Sequence, residues 1–106
     1  MRALKSKVLT LLGFASRAGA LCYGFAATVA EIKAGKAKGV FFAVDISAKS
    51  RKEVMFYCDK FGVGAYELRG INMEELSHAV GRKCAVAAVK DDSFTNSVIS
   101  NLTLDG

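Results

Sequence analysis

Proline and tryptophan are absent from this 106-residue chain, and histidine occurs once, as His78. Without proline, the breaks between elements fall to ten glycines and to polar capping residues. One imidazole and three widely spaced cysteines (Cys22, Cys58, Cys84), with no CxxC pair, exclude the usual pattern of a zinc site. Each cysteine sits in an apolar stretch, so buried reduced thiols are expected in place of a disulfide framework. No apolar run approaches the roughly 20 residues that cross a bilayer. Residues 1–19 mix basic and apolar side chains at helical spacing, without an uninterrupted apolar core or a cleavage-type region, and read as a structural helix and not a signal peptide. Linkers, repeats and low-complexity segments are also missing. With 52% hydrophobic residues, one domain over residues 1–106 with a full core is expected.

Acidic residues are scarce in one region only. Residues 1–38 hold seven Lys and Arg against Glu31 alone, net +6, whereas residues 39–106 hold eight against nine acids, net −1. The whole positive excess therefore lies in the first third of the chain. A one-sided positive field attracts polyanions, and nucleic acid is the commonest cytoplasmic one; ordinary solubilising charge is the alternative.

Helical periodicity places Leu4, Val8, Leu11, Leu12 and Ala15 on one face of a first helix. A second helix is predicted from Phe25 to Ala34, followed by a central strand from Gly39 to Val44. Ser47 caps a third helix, with Val54, Tyr57, Cys58 and Phe61 on its core face and Gly62 at its end. Ala65 to Leu68 reads as a short strand. Asn72 with Glu75 three residues on forms a capping box for a short helix through Ala79. A last strand is predicted from Cys84 to Val89, and Asp91, Asp92 and Ser93 offer caps for a final helix with Phe94, Val98 and Leu102 inward. Alternating strands and helices imply an α/β fold, a three-layer α/β/α sandwich around a small mixed sheet.

The segment from Arg17 to Asp45, RAGALCYGFAATVAEIKAGKAKGVFFAVD, bears most directly on function. It combines a Gly-bearing loop ending at Gly24, an Ala-rich helix, and a basic step of Lys33, Lys36 and Lys38 leading into the strand. A helix that starts after a glycine presents unpaired N–H groups and the positive end of its dipole, which suits phosphate. The same pattern also describes a plain helix packed on a sheet.

The order of elements, the string Arg17-Ala18-Gly19, the Gly24 to Gly35 spacing, Gly35-Lys36-Ala37-Lys38, Asp45, and Leu76 through Gly81 together resemble the kink-turn-binding ribosomal protein family, the seven-Ae type of large-subunit protein, and in particular its small bacterial YlxQ-like members. The resemblance covers roughly residues 3 to 95. It implies an RNA-binding module without catalysis, cytoplasmic and associated with ribosomes or other ribonucleoproteins, in which Asn, Glu and Lys near the start of the second helix read guanine edges of tandem G·A pairs. Aligned on Gly24 and Gly35, those roles fall at Ala26, Ala27 and Ala30, whose methyl groups neither donate nor accept a hydrogen bond. Losing two or three contacts of roughly 1–3 kcal/mol each removes on the order of 2–9 kcal/mol. That is comparable to the roughly 4–10 kcal/mol separating specific from non-specific binding. Kink-turn specificity of the family's usual kind is therefore in doubt.

Backbone-directed contact survives this loss. The expected RNA-binding set is Arg17, Gly24, Phe25, Ala26, Ala27, Ala30, Lys33, Lys36 and Lys38, joined by Arg82 and Lys83 in the loop before the last strand, which the resemblance puts beside the helix. Phe25 suits either stacking on a splayed base or a core contact at the helix start. The competing reading is a protein-interaction module whose smooth alanine surface admits a partner helix or a second copy. An enzyme is disfavoured: His78 is isolated, Asp45 and Asp91 have no evident partners, Gly62-Val63-Gly64 lacks a phosphate-loop context, and no nucleophile–base–orienter set can be named. No cofactor, metal or membrane partner is expected, and no oligomeric state follows.

Overall fold

The computed structural model describes residues 2–104, with side chains described for residues 5–103. Five helices and four strands alternate: α1 (Arg2–Arg17), β1 (Leu21–Tyr23), α2 (Gly24–Lys33), β2 (Gly39–Ala43), α3 (Ala48–Phe61), β3 (Ala65–Leu68), α4 (Met73–Val80), β4 (Val86–Val89) and α5 (Asp92–Leu104). The strands form one mixed sheet in the order β1-β4-β2-β3. β4 runs antiparallel to both neighbours, whereas β2 and β3 are parallel.

Alternation along the two central strands builds the layers. Phe41, Ala43, Ala87 and Val89 face one side, where Val8 and Leu12 of α1, Leu76 of α4 and Val98 of α5 cover them. Val40, Phe42, Val86 and Ala88 face the other, against Ile32 of α2 and Val54 and Cys58 of α3. Every residue of β2 and β4 is buried, as expected of strands sandwiched between helices. The fold is the expected three-layer α/β/α sandwich with a small mixed sheet. Leu4, predicted on the α1 core face, lies outside the residues with described side chains.

Local capping set the helix boundaries as predicted for α3 and α4. Ser47 Oγ accepts the Ser50 N–H at 3.1 Å, and Gly62 closes α3 in the left-handed conformation. Asn72 and Glu75 form the reciprocal capping box, with bonds of 2.8 and 3.1 Å. Asp91 accepts the Phe94 N–H at 2.9 Å and so caps α5.

Four expectations need correction. The segment read as a Gly-bearing loop contains β1, a three-residue edge strand held by pairing with β4 some 65 positions away, too short for any periodicity to reveal. The last strand begins at Val86 and not at Cys84, because both the N–H and the carbonyl of Cys84 are taken by Ser77 Oγ (2.9 and 3.1 Å) instead of a neighbouring strand. Phe61 is not in the core: it is exposed in the last turn of α3, with the Lys60 ammonium 5.8 Å from its ring centroid. Of the three thiols, all of them free, Cys58 and Cys84 are buried, but Cys22 on the edge strand is only partly so. Burial pushes the Cys58 thiol up to about 11, and raises Cys84 as well.

Candidate nucleic-acid interface

The junction between β1 and α2 is a corner one residue wide. Tyr23 is extended (φ −111°, ψ 135°) and Gly24 takes φ +85°, so the chain turns directly from strand into helix. A Cβ at Gly24 would meet nothing within 4 Å; it is the left-handed backbone, not lack of space, that calls for glycine. No side chain caps this helix, so the N–H groups of Phe25 and Ala26 in its first turn have no side-chain acceptor, whereas Ala27, four residues past the N-cap Tyr23, bonds back to the Tyr23 carbonyl as the first intrahelical pair.

The corner is held from behind. Ser16 Oγ, at the end of α1, donates to the Val80 carbonyl at 2.7 Å and is also hydrogen-bonded to the Tyr23 hydroxyl. A serine has one proton to give, and with that spent on Val80 the Tyr23 O–H must be the donor to Ser16. Tyr23 is thereby tied to α1 and to the end of α4. The Arg82 guanidinium lies 5.1 Å from the Tyr23 ring centroid, so the exposed loop Gly81-Arg82-Lys83 stands beside the start of α2. Ser77 pins the far end of that loop through Cys84.

Around α2 the burial is one-sided. Thr28 and Ile32 are buried, while Ala26, Ala27 and Ala30 are exposed. Phe25 is half-buried against the cluster formed by α2, α3 and the sheet. It also lines a cleft of about 360 Å³ with Asp45, Ile46, Ser47, Met73 and Val86. Of its two expected roles, the core contact at the helix start is the one seen in the fold.

The remaining expected residues do not all gather there. Lys33, Lys36 and Lys38 lie at the opposite end of α2, about 14 Å along the axis at about 1.5 Å per residue. Lys33 is held over the Tyr57 ring of α3 at 4.9 Å, while Lys36 and Lys38 are exposed in the connection to β2. Lys36 and Lys90 lie close enough to Cys22 to favour its thiolate, but burial and the adjoining Glu31 carboxylate outweigh them and keep that thiol raised. Arg17 lines a different and larger cleft of about 690 Å³ between α1 and α4, with its guanidinium 4.9 Å from the Phe14 ring. His78 and Glu74 line that same cleft. Asp45, read as partnerless, accepts the Met73 N–H at 2.7 Å and so adds a second cap to α4, a bond across 28 positions that no local pattern reveals. Among the described residues, no group of three or more His, Cys, Asp or Glu side chains is arranged to hold a metal ion.

Residues 6–99 match the model of the ribosomal protein L7Ae/L30e/S12e/Gadd45 family. The chain belongs to that family. It is 33% identical over 90 residues to the RNA-binding protein YlxQ of Enterococcus faecium, covering 85% of each chain. A structure described as a protein with unknown function from Bacillus halodurans superposes with a TM-score of 0.85 at 26% identity, covering 92% of this chain and 97% of the other. The 15.5kD RNA binding protein of Giardia lamblia matches at a TM-score of 0.73, covering 95% of this chain and 86% of that one; at 20% identity it shows the shared fold.

Three residues that organise this family member's α2 corner escaped the sequence reading: Ser16, Tyr23 and Ser77. Tyr23, immediately before the glycine that opens the helix, is the one with a local signal, an amphipathic side chain at a turn. The serines act through partners 64 and 7 positions away and carry none.

Proposed function

We propose that this chain is a non-catalytic, cytoplasmic RNA-binding domain, associated with ribosomes or another ribonucleoprotein, that grips structured RNA at the start of α2 and the loop before β4. The observation that carries the reading is the start of α2, which no side chain caps, with Arg82 over the ring of its N-cap Tyr23 and Lys83 next in the same exposed loop. Such an end favours phosphate through its amides and dipole, and the flanking cations add charge without reading sequence. Membership of the family, and a relative named as RNA-binding, support the same conclusion. Gly24, Phe25, Ala26 and Ala27 form the contact surface, and Ala30 lets the RNA backbone approach closely. Lys33, Lys36 and Lys38 act as a second, more distant set of cations, and Arg17 contributes from the end of α1. Because Ala26, Ala27 and Ala30 carry no polar atoms, kink-turn recognition depends on backbone and loop contacts alone.

The exposed alanine surface also favours a second reading, a protein-interaction module whose partner packs against α2. Salt separates the two. The test is titration with a fluorescent kink-turn RNA, and with a control whose G·A pairs are converted to Watson–Crick pairs, each at low and high salt. A general RNA binder holds both equally, with a log–log salt slope of about −0.7 to −0.9 per phosphate contact. Binding of the kink-turn alone means that backbone contacts suffice for recognition. Failure to bind either RNA at low salt overturns the RNA reading in favour of the protein partner.

A further inference from the structure

We propose that the outward face of α3 is a second RNA surface, one that takes single-stranded RNA by alternating cations with aromatic rings. It extends the RNA-binding reading above to a part of the molecule that reading leaves unused. Lys49, Lys52, Phe56 and Lys60 recur at spacings of three, four and four, and therefore run as one stripe along α3. The stripe lies away from Val54 and Cys58, which the helix buries. In its middle Phe56 is 59% exposed, more than any other large hydrophobic residue among those described. A phenylalanine left in water forgoes burial worth about 1.5–3 kcal/mol.

Its neighbours explain what it is placed among. The Phe56 ring meets Tyr57 edge-on at 5.3 Å between centroids. The Lys60 ammonium lies 6.0 Å from the Phe56 centroid and 5.8 Å from that of Phe61, and Lys33, arriving from the end of α2, lies 4.9 Å from that of Tyr57. A continuous run of cation and ring thus passes from the end of α2 across the surface of α3: Lys33, Tyr57, Phe56, Lys60, Phe61. Single-stranded nucleic acid repeats the complementary pattern, a phosphate for each cation and a π-face for each ring. Lys49 to Lys60 spans about 16 Å at about 1.5 Å per residue, enough for a few nucleotides. Glu53 and Asp59 sit three residues either side of Phe56, but four cations on α3 outnumber these two acids. The exposed rings of this face stand among four cations of α3, and that charge selects a polyanion over a purely apolar partner.

The test uses the full chain with three probes: the structured RNA of the previous section, the same RNA carrying a short oligouridine extension, and the oligouridine alone. The extension is expected to tighten binding by about fivefold or more, the equivalent of one stacked base. Phe56→Ala should abolish that gain while leaving affinity for the unextended RNA unchanged, and Phe56→Trp should keep it. Lys52→Glu with Lys60→Glu should lower the salt slope for the extended RNA by about 1 per charge. The proposal fails if the extension gives no gain, or if Phe56→Ala retains it. It fails equally if Phe56→Ala only dissociates a dimer in sedimentation, which would make the face a contact between copies. Oligouridine binding that depends on Phe56, with no binding of the unextended RNA, would instead overturn the α2 reading and sustain this one.

Discussion

The starts of α2 and α4 offer the same backbone groups to their surroundings and are treated in opposite ways. At α4, three side-chain oxygens close the end: Asn72 Oδ1 takes the Glu75 N–H, Glu75 Oε1 takes the Asn72 N–H, and Asp45 Oδ1 reaches from the end of β2 to the Met73 N–H. Glu74 and Glu75 also lie in its first turn, where negative charge complements the dipole. At α2 there is no acidic residue in the first turn and no side-chain acceptor, and the exposed positions carry methyl groups. One helix end is closed by side chains; the other is not. The positive end of a helix is generic, and the side chains around it decide whether a ligand has anything left to satisfy.

The comparison can be broken most forcefully by giving α2 polar side chains. Ala26→Asn, Ala27→Glu and Ala30→Lys together should create selectivity for the kink-turn RNA over its Watson–Crick control worth on the order of 2–9 kcal/mol, read as the ratio of the two dissociation constants. A folded variant that still binds the two RNAs equally would show that α2 is not in the assumed register on RNA. Next in size is the opposite operation on α4. Asp45→Ala with Asn72→Ala should cost about 1 kcal/mol for each lost cap, lowering the thermal midpoint by about 4–8 °C per kcal/mol, with RNA binding intact at temperatures where the variant is folded.

Gly24→Ala tests the corner itself. Forcing a Cβ into the left-handed region should destabilise the protein by about 1–2 kcal/mol in chemical denaturation, and should weaken RNA binding as well because the amides of Phe25 and Ala26 turn away. Charge reversal then ranks the two cationic groups. Arg82→Glu with Lys83→Glu, beside the open end, should reduce the salt slope of RNA binding by about 1 per residue. Lys36→Glu with Lys38→Glu, at the far end of α2, should weaken binding less at the same salt; a larger loss there would move the contact surface down the helix.

The smallest effect is expected from pH. The Glu75 carboxyl is held below the usual glutamate range, first by its hydrogen-bonded ion pair with Lys5 at 2.7 Å and then by the Asn72 N–H. A carboxyl whose folded-state value is lowered contributes stability above its unfolded value and loses it as pH falls through the folded one. Thermal midpoints should accordingly decline on acidification below the ordinary glutamate range, and Glu75→Gln should flatten that part of the profile. Both partners are about one-third exposed, so screening keeps the change small.

Where a helix begins was legible wherever the capping partner lies within a turn. Ser47 was read as a cap from its residue type and place, and Asn72 with Glu75 from their spacing of three; the structure gives Ser47 the Ser50 N–H. The contribution of Asp45 to α4, the Tyr23 hydroxyl's bond to Ser16 and the Arg82 contact with Tyr23 were not, because each joins elements that are brought together by the sheet. β1 illustrates the same limit: its three residues become a strand through pairing with β4.

Position on the surface divides in the same way. The residues expected at one RNA face separate into a group at the start of α2, a lysine group at its end, and Arg17 in the cleft between α1 and α4. Closeness in sequence had suggested a single cluster, but a ten-residue helix carries its two ends about 14 Å apart at about 1.5 Å per residue. By itself, then, the sequence determined the sandwich, the local helix caps and the methyl surface of α2, since these depend on periodicity and on side-chain chemistry within a few residues. Tertiary structure alone decided which cations stand beside the open helix end, which acids are spent as caps, and which aromatic rings are left facing water. Those outcomes depend on contacts between residues far apart in the chain, and such contacts exist only once the sheet has assembled.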